Sequence, residues 1–211
     1  MNDALRELRQ RHIEAAVDAL RKNRFEAEYV EGPEELIKRL GEKIPAGSSC
    51  SLGGSMTIDY AGVRDWLEKR SDINYLDRYA KGADTDRVFH DALSCDVYLT
   101  GTNAVTMQGE LYNVDGTGNR VAALCFGPKR VIVIAGFNKI VGNLEEAKIR
   151  MRSIAAPANA LRLKRKTPCA ATGRCQDCAS EDRLCSQYLV TGWQRSPGRI
   201  CVYIMGGEYG N

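Results

Sequence analysis

Hydrophobic positions along the chain change period several times, and each change marks an element. From Asp3 to Lys22 the residues Leu5, Leu8, Ile13, Ala16, Val17 and Leu20 recur at helical spacing opposite Arg and Glu, which predicts an amphipathic helix over residues 3–22. Residues 25–30 alternate as a strand. Pro33 then opens a helix carrying Leu36, Ile37 and Leu40, and Ile44-Pro45-Ala46-Gly47 ends it. Ser48 to Leu52 reads as the next strand, and Gly53-Gly54-Ser55 leads into a helix over residues 56–69 with Ser55 as N-cap. A short strand over 73–76, a helix over 84–93 capped by Asp84 or Thr85, and a strand over 96–100 follow.

Val131 to Ala135 is a continuous apolar, largely β-branched run of the kind that fills a buried parallel strand. A helix capped by Asn143 is expected over 144–155, with Pro157 interrupting it, and two strands, 188–193 and 199–205, flank the turn Ser196-Pro197-Gly198. Strands alternating with helices over the first 155 residues argue an α/β sheet with helices on both faces. The division expected is an α/β domain over 1–160, a cysteine-rich segment over 161–187, and terminal strands over 188–211 that complete the same domain.

One stretch between these elements is too rich for a connection. Residues 100–120, TGTNAVTMQGELYNVDGTGNR, hold four glycines, three asparagines, Glu110, Asp115 and Arg120. Most connections need only about four to six residues. Residues 102–106 and 110–114 read as a hairpin turning at Met107-Gln108-Gly109 and hung on the main sheet, and Asn119 begins a short helix. Ligands of open α/β sheets bind outside the carboxyl ends of the strands, where this stretch and the Gly53 turn both fall. The candidate ligand-binding set is therefore Gly53, Gly54, Ser55, Thr57, Thr102, Asn103, Asn113, Gly116, Gly118, Asn119 and Arg120, with Lys139 as a further anion holder. With only two histidines, His12 and His90, neither beside a glycine turn, acid–base or nucleophilic work falls to Glu110 and Asp115.

Composition narrows the partners. The 30 basic and 27 acidic residues leave a net charge of +3, too even a balance for nucleic acid or an anionic membrane. No apolar run approaches the roughly eighteen residues of a membrane span, and the first twenty lack the apolar core of a signal peptide, so a cytoplasmic protein is expected. The eight cysteines are then reduced thiols or metal ligands. Four of them, Cys169, Cys175, Cys178 and Cys185, lie in a C-x5-C-x2-C-x6-C pattern within seventeen residues that hold almost nothing core-forming. Such a set suits one metal centre. The missing second C-x2-C pair favours a [4Fe–4S] cluster over structural Zn2+, which stays as the alternative. The basic run from Arg162 to Lys166 would offset its charge, and Cys50, Cys95, Cys125 and Cys201 read as core residues.

The segments GTNAVTMQGELYNVDGTGNRVAALCFGPKRVIVIAG, IAAPANALRL and TPCAATGRCQDCASEDRLC resemble the LUD-domain proteins, named for lactate utilisation, over about residues 15–204. The resemblance implies a NagB/RpiA/CoA-transferase-like α/β fold, shared with formyltetrahydrofolate cyclo-ligases, and a place in iron–sulfur systems that oxidise hydroxy acids such as lactate. Larger relatives carry repeated C-x2-C-x2-C units where this chain has one cysteine group. The fold's transferases use a carboxylate nucleophile, with which Glu110 is compared. Three functions are thus open. The first is a small anionic metabolite and an iron–sulfur cluster in hydroxy-acid redox metabolism, alone or with other subunits of a redox system or as an oligomer. The second is transfer or hydrolysis of a CoA ester or sugar phosphate beside a structural zinc, and the third is a non-enzymatic assembly or electron-transfer subunit.

Overall fold

The computed structural model describes residues 3–211. Its centre is a six-stranded sheet in which every neighbouring pair is parallel. The strands are β1 (Glu26–Val30), β2 (Ser49–Leu52), β3 (Asn74–Leu76), β4 (Val97–Gly101), β7 (Arg130–Gly136) and β10 (Ile200–Met205), in the order β1-β10-β7-β4-β2-β3. The continuous apolar runs are explained by burial on both faces. Along β7, Val131, Val133 and Ala135 face one core while Ile132 and Ile134 face the other, the period-two alternation of a strand.

The first core is closed by α1 (Asp3–Lys22) through Ile13, Ala16, Val17 and Leu20. Leu5 and Leu8, on the same apolar stripe, are exposed. The second core is closed by α2 (Pro33–Lys43) through Leu36 and Leu40, and by α3 (Met56–Tyr60) and α4 (Val63–Glu68). The single helix expected over 56–69 is broken because Gly62 takes a left-handed φ of 67°, a conformation glycine adopts without steric cost. α5 (Thr85–Ala92) has the expected Asp84 cap, whose carboxylate accepts from the Arg87 amide.

A second, four-stranded sheet holds what the sequence suggested would hang on the first. β5 (Ala104–Thr106) and β6 (Leu111–Asp115) form the antiparallel hairpin, joined by the two-residue β8 (Ile140–Val141) and by β9 (Gln187–Thr191) in the order β8-β5-β6-β9. The hairpin turn is wedged under α1. Gly109, at a φ of 78°, abuts the backbone of Ala19 so closely that a Cβ has no room, and Asn23 Nδ2 donates to the Gln108 and Gly109 carbonyls at 2.8 and 2.9 Å. β9 and β10 are not a hairpin across Ser196-Pro197-Gly198. They part to different sheets, because β10 is apolar throughout and inserts between β1 and β7.

Pro157 does not end the last long helix either. α7 (Leu144–Arg150) passes through a π-helical turn (Met151–Ala155) into α8 (Ala156–Arg162), so helical structure continues to residue 162. The wider turn carries the chain past a proline that has no N–H to donate. A short 3-10 turn, Phe137–Lys139, leaves β7, and α6 (Asn119–Cys125) and α9 (Pro168–Thr172) complete the elements. Cys125 at the end of α6 is exposed, contrary to the core position expected, whereas Cys50, Cys95 and Cys201 are buried and their thiols are pushed up to about 11, 12 and 12 by desolvation. No helix among the described residues is long and apolar enough to cross a membrane.

Candidate functional site

A cleft of about 390 Å³ opens at the carboxyl end of the parallel sheet. Its floor comes from the turn after β2 (Gly54, Ser55), from β4 and the residues after it (Gly101, Thr102, Asn103), and from Lys139 after β7. One wall is the end of β6 and the turn into α6 (Val114 to Thr117, Asn119, Arg120), and the opposite wall is the π turn and α8. Arg78, Tyr79 and Phe89 also line it.

Arg120, Lys139 and Arg150 are largely withdrawn from solvent here, with different partners. Arg120 pairs with Asp115 at 2.7 Å and donates to the Gly101 and Val114 carbonyls and to Asn113 and Asn103 Oδ1, at 2.5 to 3.2 Å. Its fork is thus filled by protein acceptors, and the residue ties β4, β6 and α6 together rather than holding a ligand. Gly53 has a related role: a Cβ there would sit 3.1 Å from Arg120 Cδ and 2.9 Å from the Tyr98 hydroxyl. Lys139 has no carboxylate partner among the described residues. Its Nζ donates to Thr57 Oγ1 at 2.8 Å and to the Thr102 carbonyl at 3.0 Å, and burial, then the nearby Arg150 and Arg120 charges, hold its pKa down to about 7. Arg150, itself buried, donates to the Asn138 and Asn103 carbonyls.

Of the residues selected from sequence, Gly54, Ser55, Thr102, Asn103, Asp115, Gly116, Asn119, Arg120 and Lys139 line the cleft. Gly53, Thr57 and Asn113 lie behind it, and Gly118 sits at a left-handed φ of 95° as the residue before α6, facing Gln187. Ser55 precedes α3 but makes no side-chain cap bond. Glu110 is outside the cleft, at the hairpin turn beside Gly109, where its carboxylate accepts from Thr106 Oγ1 at 3.0 Å. It does not meet the other candidates.

The cleft also contains residues that sequence reasoning passed over. Met151, Ala155, Asn159 and Arg162 lie four, four and three apart, one face of a continuous helix, and Arg165 and Leu163 follow them. That spacing was the available signal, hidden by treating Pro157 as a stop. Arg78 gave no signal at all; it lies 4.7 Å from the Tyr79 ring centre and 5.3 Å from that of Phe89.

The four cysteines divide. Cys185 lines the cleft beside Leu184, while Cys169, Cys175 and Cys178 are half-buried in the segment outside it. Among the described residues no group of three or more Cys, His, Asp or Glu side chains converges enough to hold a metal ion. As arranged, the four sulfurs do not fit a metal centre. The segment is held instead by polar contacts: Lys166 N donates to Asp182, Ser180 Oγ to the Lys166 carbonyl, and Arg183 to the carbonyls of Cys178 and Cys185.

Comparison with known proteins agrees with this architecture. The crystal structure of a DUF162 family protein from Deinococcus radiodurans is similar to this chain at 16% identity and a TM-score of 0.54, covering 94% of this chain and 98% of that one. At that identity the likeness speaks for the fold. No curated protein matches the sequence. The LUD domain model, however, matches residues 13–205, nearly the whole length, and the chain belongs to the LUD-domain family.

Proposed function

We propose that the cleft binds a small anionic metabolite. The observation that carries this is its charge: Arg78 and Arg162, with Arg165 paired to Asp182 at 3.6 Å, line one concave surface whose only Asp or Glu among the described residues, Asp115, is already neutralised by Arg120. Neither Arg78 nor Arg162 forms an ion pair among the described residues; beyond the bonds of Arg78 to the Tyr79 hydroxyl and of Arg162 to Asn159 Oδ1, each keeps N–H groups and its full charge for a carboxylate or phosphate. Apolar Met151, Ala155, Leu163 and Leu184 between them suit a short carbon skeleton. The resemblance to lactate-utilisation proteins supports a role in hydroxy-acid redox metabolism. The transferase alternative loses its nucleophile, because Glu110 is not at the cleft.

A thermal-shift series with small carboxylates, sugar phosphates and CoA esters tests the reading. A ligand that binds the native state raises the apparent Tm, and Arg162→Ala should reduce that rise. No shift with any anion, or shifts that Arg162→Ala and Arg78→Ala leave untouched, would refute it.

The cysteine segment is a separate proposal. Cys175, Cys178 and Cys185 lie in backbone outside any sheet, so drawing them with Cys169 around a [4Fe–4S] cluster or Zn2+ would break no strand pairing. Anaerobic purification followed by iron, sulfide and zinc analysis decides it, with Cys175→Ser expected to lose the metal.

A further inference from the structure

We propose that Lys139 is a nucleophile in this cleft, and that the anion it serves carries a carbonyl group, as a 2-oxo acid or a phosphorylated aldehyde or ketone does, which Lys139 captures as an imine. The inference rests on the anion reading of the cleft and deepens it.

Position comes first. Lys139 follows β7, a central strand, and lines the cleft between the Gly54 turn and Asn103 while remaining 4% exposed. A lysine that merely attracted anions would keep its ammonium in water, where it is strongly hydrated. This one is withdrawn from water, has no carboxylate partner among the described residues, and has Arg120 and Arg150 as its charged neighbours.

The hydrogen-bond geometry fits the neutral amine. A free amine has two N–H bonds and one lone pair, and Lys139 finds two acceptors, Thr57 Oγ1 and the Thr102 carbonyl. The Thr57 hydroxyl donates its own hydrogen to the Tyr209 carbonyl at 3.0 Å, so toward Lys139 it can only accept. Both N–H bonds are therefore directed into protein, and the lone pair is left for a reacting carbon. An ammonium would carry a third N–H with no acceptor among the described residues. The pKa of about 7 agrees, since desolvation and cationic neighbours are the means by which a lysine becomes a free amine near neutrality.

The step balances without a further reagent. The Nζ lone pair forms a C–N bond to the carbonyl carbon, the carbonyl π pair moves to oxygen, and that oxygen takes the proton given up by nitrogen. Loss of the hydroxyl with the second N–H hydrogen as water then leaves a C=N bond. Arg78 and Arg162 hold the carboxylate or phosphate of the captured molecule.

Borohydride trapping tests this on the unaltered protein. Incubation with pyruvate, and separately with glyceraldehyde 3-phosphate, followed by reduction and peptide mass mapping, should place a stable secondary-amine adduct on Lys139 in preference to the exposed lysines. The two probes separate the carboxylate and phosphate sources. Lys139→Arg and Lys139→Met should abolish that adduct, and excess acetate or inorganic phosphate should compete with it. If anions raise the Tm but no adduct forms at Lys139, or it appears equally on surface lysines, the imine proposal falls and the anion site stands. If no anion shifts the Tm or competes, the anion reading falls, whether or not Lys139 is labelled.

Discussion

The end of the hairpin and the cysteine segment are both polar, cysteine- or glycine-bearing stretches rich in charge, yet they are built in opposite ways. In residues 100–120 the polar groups face inward: Thr100, Thr102, Thr106 and Asn113 are buried, and Arg120 and Asp115 are nearly so. In residues 167–185 most side chains meet solvent, and the ion pairs Arg152–Asp177 and Arg183–Asp177 are at the surface. Buried polar groups need partners and so fix geometry, whereas exposed ones are satisfied by water in many arrangements. The first region is preorganised; the second is fixed by fewer buried partners.

The largest test of this contrast is Arg120→Met. Removing the guanidinium strands the Asp115 carboxylate in a site where it is 9% exposed, and loss of one partner of such a pair costs about 3–5 kcal/mol. The urea midpoint should fall accordingly, and a loss below ~1 kcal/mol would show that the network is not structural.

Lys139 gives the pH signature. Its folded pKa of about 7 lies below the usual lysine value of about 10.4, so between those values the unfolded chain binds the extra proton and stability rises with pH. The slope approaches ~1.4 kcal/mol per pH unit and vanishes below about pH 7, where both states are protonated. Stability curves from pH 6 to pH 10 should show this rise in the wild type, reduced in Lys139→Met.

Smaller again is Arg162→Ala, expected to weaken anion binding about tenfold, ~1.4 kcal/mol, while the ligand-free Tm barely moves. Isothermal titration at two salt concentrations would measure it. The smallest effect belongs to Cys175→Ser, which in metal-free protein should change stability by less than ~0.5 kcal/mol. A large loss there would mean the segment is as constrained as the cleft.

How much was legible varies by residue for physical reasons. That Asn103, Gly116 and Asn119 line the cleft was legible because glycines and small amides gather where a sheet's carboxyl end turns into loops. Glu110 looked equally promising, but one hairpin turn carries it out of the cleft to Thr106. Arg120 lines the cleft with its guanidinium already bonded to protein acceptors, which no sequence shows, since it does not say how many acceptors surround a guanidinium. The cations that give the cleft its sign, Arg78 and Arg162, come from residues far apart in the chain.

By itself the sequence determined the local order: strand and helix periods, the Asp84 and Asn143 caps, the all-apolar β7 run and hence a parallel sheet, and the family. These follow from short-range sterics and from the alternation that burial imposes. Only the tertiary structure decided that β9 and β10 part company, that helix continues past Pro157, and that Lys139 lines the cleft while almost fully buried, with no carboxylate partner among the described residues. Those outcomes depend on which surfaces meet, and the charge state of a buried amine is set by everything packed around it.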